Sequence, residues 1–146
     1  MNRSTPDVDD FRAIRNAYIM EFQRLMNKYR RAVGHTRKPW TAKQCTSVAA
    51  ILHRLKGASS FAGYYHIAWF AYALEGMLRQ PPRDGAAEAE RRGICAAAAA
   101  VLHSFLVDVI SSRAEPGTDA SELFDRIADW KENGTVSSRT QEETAA

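Results

Sequence analysis

Cysteine is scarce in this chain: among 146 residues there are only Cys45 and Cys95. Both fall on the apolar sides of helical patterns, with no further ligands at metal-binding spacing. They are expected as buried, reduced thiols, and a disulfide framework or a metal centre is excluded. No apolar run approaches the roughly 20 residues of a membrane span, and the opening MNRSTPDVDDF is too polar and acidic for a signal peptide. There is no P-loop, no Gly-rich nucleotide fingerprint and no kinase signature, so the chain is not expected to bind ATP or phosphorylate itself. Strand-type alternation is lacking, and so is any internal repeat. With 45% apolar and 25% charged residues, what remains is one ordinary globular domain, expected in the cytoplasm.

The sharpest absence concerns charge of one sign. Residues 22–74 contain nine Lys/Arg and no Asp or Glu, whereas residues 115–146 hold eight carboxylates against three bases. A basic half of this kind steers in an acidic partner. Nucleic acid is the competing partner, but the bases are spread over two helices and a loop with little aromatic interleaving and no recognised motif.

What is present is helical periodicity. Phe11, Ile14, Tyr18, Phe22, Leu25 and Tyr29 recur at 3,4,4,3,4 spacing, a one-face stripe that predicts a core-facing first helix ending before Gly34. Thr41 reads as the N-cap of a second helix, Gln44 completes a capping box, Trp40 is placed to staple against Cys45, and Gly63 ends or bends it. A third helix over about 64–80 buries Ile67, Phe70, Ala71, Leu74 and Leu78; Trp69 and Tyr72 lie off that stripe, either on a bundle edge or in a partner patch. Pro81-Pro82 stops it. A fourth runs from about Ala86 to Arg113 through the alanine run 96–100, and a short fifth covers Asp119 to Lys131 with Asp119 as its cap. The fold class is all-α: an antiparallel up-and-down four-helix bundle with a short extra C-terminal helix, residues 1–132, followed by a disordered tail, 133–146.

The second helix carries two faces. At about 100° per residue, Cys45, Val48, Ile51, Leu52, Leu55, Ser59 and Ala62 gather on one broad side. His53 points away from it, on a strip with Ala49, Ala50, Lys56, Gly57 and Ser60. An imidazole with a lysine one turn along and almost nothing bulky beside it forms a docking surface. Arg54, about 100° round, is placed to meet acidic groups on a partner's rim. His35, His66 and His103 lack such company and are read as structural or surface residues.

His53, Lys56, Gly57, Ala58-Ser59 and Gly63, followed by a hydrophobic helix containing Leu74-Glu75, resemble the motif of the histidine-containing phosphotransfer (HPt) family of multistep two-component relays. The resemblance implies a four-helix bundle that carries a phosphoryl group between aspartates of receiver domains, from a hybrid sensor kinase to a response regulator. It implies His53 as acceptor through Nε2, with Mg²⁺ supplied by the receiver and no cofactor of the chain's own. Lys56 would offset phosphoryl charge, Gly57 would let the partner's loops approach, and Ser60 is placed to donate a hydrogen bond; Ala49, Ala50 and Arg54 complete the contact surface. Glu75 reads as a surface carboxylate or a helix-end contact, with no catalytic role. The chain is expected to be a free-standing monomeric carrier, not an enzyme, without membrane or nucleic-acid partners and with access to the nucleus in a eukaryote. The alternative is a receiver-docking or inhibitory module that carries no phosphate.

Overall fold

The computed structural model describes residues 8–34, 37–111 and 117–136. His35, the N-terminal seven residues and the tail from 137 lie outside the described residues. Within them the chain is all-helical: α1 (Val8–Val33), α2 (Ala42–Ala62), α3 (Tyr65–Leu78), α4 (Gly85–Ile110) and α5 (Ser121–Asn133). The α2–α3 interface is the most extensive, α1 packs on α2 and α4, and α5 lies across α3 and α4.

Local chemistry sets the start of α2 and α4 and the end of α2. The Thr41 side chain accepts the Gln44 N–H at 3.2 Å while the Gln44 side chain accepts the Thr41 N–H at 2.8 Å, so two otherwise orphaned donors are satisfied reciprocally. Gly63 closes α2 in the left-handed region at φ 87°, where a residue with a side chain is strained. Asp84 caps α4 by accepting the Ala87 N–H at 2.8 Å. Asp119, expected as the cap of α5, is not its N-cap: that position is Ala120, which makes no side-chain cap hydrogen bond, and Asp119 accepts the Ser121 N–H at 2.9 Å in the turn that leads in.

The interior is built from Phe22, Leu25 and Tyr29 of α1, Leu52 and Leu55 of α2, Ile67, Phe70 and Leu74 of α3, and Ile94, Leu102 and Phe105 of α4. Burying one such side chain fully contributes about 1.5–3 kcal/mol. Ile127 and Trp130 of α5 join the same core, and Trp130 donates its indole N–H to the Ala87 carbonyl at 2.8 Å. Gly134 and Thr135, which composition places in the tail, are tied to the α3–α4 turn: Arg83 N–H donates to the Gly134 carbonyl at 2.6 Å and the Thr135 hydroxyl to the Pro81 carbonyl at 2.9 Å.

Three further expectations are corrected. Phe11 and Ile14 are not core residues; they are 60% and 37% exposed. Tyr18 stacks on Tyr64 at 4.9 Å and shares a hydrogen bond with Ser59 at 2.7 Å, so the level of Tyr18 already corresponds to the end of α2. The turns before it run past their neighbours. Ala49, expected on the open strip beside His53, is only 2% exposed and packs into the core cluster. Finally, α4 is long and apolar enough to cross a membrane by length and composition alone, because His103 and Asp108 barely interrupt its alanine-rich stretch. Here Cys95, Ala98, Leu102, Phe105 and Val109 line the core of the bundle, which is the ordinary use of such a helix in a globular chain.

Candidate functional site

His53 stands in the middle of α2, more than three turns from the capped start and more than two from Gly63. Its backbone is therefore fixed by helix on both sides, while its side chain remains 60% exposed. From the facing helix α3, Glu75 reaches it. Nδ1 of His53 lies 3.0 Å from Oε1 and 3.2 Å from Oε2 of Glu75. A carboxylate only accepts hydrogen bonds, so the contact places a proton on Nδ1, and of the two neutral tautomers it selects the one that leaves Nε2 bare.

Glu75 is itself held. Its side chain is only 8% exposed, and Arg79, one turn on, donates to Oε1 from Nε at 3.1 Å and pairs through Nη2 at 3.0 Å. The carboxylate thus stands between an exposed arginine and the imidazole, braced by a backbone in the most extensive helix–helix contact of the fold. Sequence reasoning assigned it no such part. The signal was available in its register: Glu75 continues the Ile67, Ala71, Leu74, Leu78 stripe of α3, and a carboxylate on a core-facing stripe requires a partner.

The other predicted residues fall into two groups. Lys56 leans away from the bulk solvent, with its Nζ 5.1 Å from the centroid of the Tyr72 ring, a cation–π contact. Together with Ser60, Tyr65, Ala68, Trp69 and Tyr72 it lines a groove of about 440 Å³ between α2 and α3. Trp69 and Tyr72 meet edge to face at 6.2 Å, and both remain more than half exposed, at 65% and 52%. Of the two readings left open for this pair, the structure places them beside Lys56 in that groove. A Cβ added at Gly57 would meet nothing within 4 Å, so the surface next to His53 is open. Ala50 is exposed on the same side, whereas Ala49 is buried beneath it.

Arg54 does not extend freely. Its Nη2 sits 3.5 Å from Oε1 of Glu21, which also forms a 2.7 Å pair with Arg24. Those hydrogen bonds from Arg24 hold the Glu21 carboxyl below its usual range. His66 is exposed and sets its ring edge-on to Phe105 at 5.6 Å, and His103 shares a 3.0 Å hydrogen bond with Arg30. Neither lies in the His53–Glu75–Arg79 cluster. No group of three or more His, Cys, Asp or Glu among the described residues could hold a metal ion.

The arrangement can do one kind of chemistry well. It presents the outer ring nitrogen of a histidine, oriented by a buried carboxylate, on an open strip with a cation one turn away. The family model described as the Hpt domain matches residues 13–129, a span containing every residue of this cluster. No curated protein and no solved structure gives a significant match.

Proposed function

The chain belongs to the Hpt domain family, whose members pass phosphoryl groups in two-component relays without kinase activity of their own, and from that premise we propose that His53 is its phospho-acceptor. In this reading Nε2 of His53 attacks the phosphorus of an aspartyl phosphate on a receiver domain. The P–N bond forms as the P–O bond to the aspartate breaks, and the aspartate leaves as a carboxylate. The ring gains positive charge as its lone pair is used. Glu75, hydrogen-bonded at Nδ1, is placed to stabilise that charge at the moment it develops. The reverse step returns the phosphoryl group to an aspartate of a second receiver.

Positioning and charge compensation account for most of the catalysis of phosphoryl transfer. Lys56 is close enough along α2 to offset phosphoryl oxygens, and Gly57 leaves room for the loops that carry the receiver's aspartate and its Mg²⁺. Ser60, Ala50 and Arg54 border the contact, and the aromatic groove gives an apolar area for a receiver surface to cover. The four long helices run up and down as an antiparallel bundle, and the protein acts as a cytoplasmic monomer between a hybrid sensor kinase and a response regulator.

The observation that carries the reading is the 3.0 Å contact of His53 Nδ1 with the buried Glu75, which aims the opposite nitrogen of an exposed ring. The test is transfer from a panel of phosphorylated receivers to the wild type and to His53→Gln. Acid-labile, base-stable label on the wild type alone is expected. Label on both proteins would move the acceptor elsewhere, and binding of receivers without label would make the chain a docking or inhibitory module.

A further inference from the structure

A second depression opens one turn N-terminal of His53 along α2. It holds about 720 Å³ and is bordered by the start of α2, the α3–α4 turn and the first turns of α4. Its size lies in the range of sites for small organic molecules. Its walls are mixed: Trp40, Leu78 and Pro82 supply apolar surface, and Thr46, Glu88 and Arg91 supply polar groups.

Arg91 is the unusual member. It is only 4% exposed, yet among the described residues no carboxylate pairs with it. Nη1 donates to the Gln80 carbonyl at 2.6 Å and Nη2 to the Cys45 sulfur at 3.3 Å. Its guanidinium lies 5.4 Å from the Trp130 ring centroid, and its Nε–H meets no acceptor. Every one of these neighbours is neutral. A guanidinium withdrawn from water in this way is costly unless an anion compensates it.

The charges nearby are already engaged. Glu88 accepts from Arg92 Nε at 2.9 and 3.0 Å and from the Trp40 backbone N–H at 2.9 Å. Arg79, on the rim, is paired with Glu75. The surplus is therefore the positive charge of Arg91. Ala42, the first residue of the 21-residue helix α2, also lines the cavity, so the positive end of a long helix dipole adds to it.

We propose that this cavity binds a small organic anion, with a carboxylate or phosphate head compensating Arg91 and a compact apolar body lying against Trp40 and Leu78. The inference goes beyond phosphotransfer and needs no step of it. Ala49 forms part of the cavity wall, so its amide reports occupancy directly.

The experiment is an amide-resonance titration of the full chain with benzoate, phenyl phosphate, inorganic phosphate and benzyl alcohol. Saturable shifts at Ala42, Thr46, Ala49 and Arg91 are expected with an aromatic anion. Benzoate alone would assign a carboxylate head, phenyl phosphate alone a phosphate head. Inorganic phosphate should bind more weakly for want of an apolar body. Arg91→Gln should weaken binding about tenfold, the usual value of a charged hydrogen bond. Should that variant fail to fold, Thr46→Trp, at an exposed position on the cavity mouth, should abolish the shifts by filling the space. The proposal is overturned if neither aromatic anion gives saturable shifts, if benzyl alcohol binds as well as they do, or if the Thr46→Trp variant binds like the wild type.

Discussion

Replacing Glu75 by Ala removes the only side chain among the described residues that is hydrogen-bonded to the imidazole of His53. A charge-assisted hydrogen bond contributes about 1.5–3 kcal/mol when sheltered. Here one partner is 60% exposed and the other 8%, so screening reduces the orienting term to about 1 kcal/mol, or roughly fivefold in the fraction of rings correctly held. The carboxylate also steadies the positive ring formed during attack, and a second contribution of about 1 kcal/mol brings the loss of transfer rate for Glu75→Ala to roughly thirtyfold. Glu75→Gln keeps an acceptor for Nδ1–H but not the charge, and should lose only about fivefold. Initial rates of label transfer from a phosphorylated receiver measure both. Nitrogen-15 spectra of the ring give an independent readout: the Nδ1–H tautomer should dominate in the wild type and in Glu75→Gln, and lose its dominance in Glu75→Ala. A Glu75→Ala protein with unchanged helical content that transfers at the wild-type rate would refute the positioning argument.

Other outcomes follow from the same geometry. Gly57→Ala should raise thermal stability, by up to about 1 kcal/mol, because the site is mid-helix with free space around it, whereas Gly57→Trp should fold and lose transfer; a destabilised alanine variant on calorimetry would contradict this. Trp69→Ala should change folding stability by less than about 0.5 kcal/mol while weakening receiver binding about tenfold or more, measured by titration calorimetry. Burial raises the phenols of Tyr18 and Tyr29 and pushes the Cys95 thiol from 9.0 up to about 12. These groups ionise earlier in the unfolded chain, so stability should hold up to about pH 9 and fall as pH climbs toward 12. Denaturant midpoints at pH 8, 10 and 11 test this, and a constant midpoint would be the contrary result.

How much of this was legible in the sequence depends on how local each cause is. The start and end of α2 were readable because Thr41, Gln44 and Gly63 act on backbone groups within a few residues. The His53 strip was readable from angular spacing along one helix. The fate of Phe11 and Ile14 was not, since periodicity identifies a face without saying how far the neighbouring helices extend. Ala49 shows the same gap: its angle places it near His53, but the closeness of the packed helices decides that it is covered. The register of Glu75 marks it as a carboxylate in need of a partner, but that the partner is His53 depends on a contact across 22 residues and two helices, which no spacing rule within one helix contains. The apolarity of α4 is not visible when alanine is weighed for helix propensity and small size, because its contribution to the hydropathy of the helix then goes uncounted.

The histidine and the carboxylate that aims it stand on separate helices, α2 and α3, and the surface joining those helices is the broadest in the molecule. Aim is consequently a property of that junction rather than of either segment. A fluctuation that frays one end of α2 leaves the two backbones that carry ring and carboxylate in place, and separating those backbones requires α2 and α3 to part, which opens the core they share. Slowly exchanging amides around Leu52, Leu55, Ala71 and Leu74 are the expected mark of such a joint. The backbones on which the two groups stand would then stay in register for as long as the protein remains folded, leaving only the rotation of the exposed ring to the hydrogen bond with Glu75.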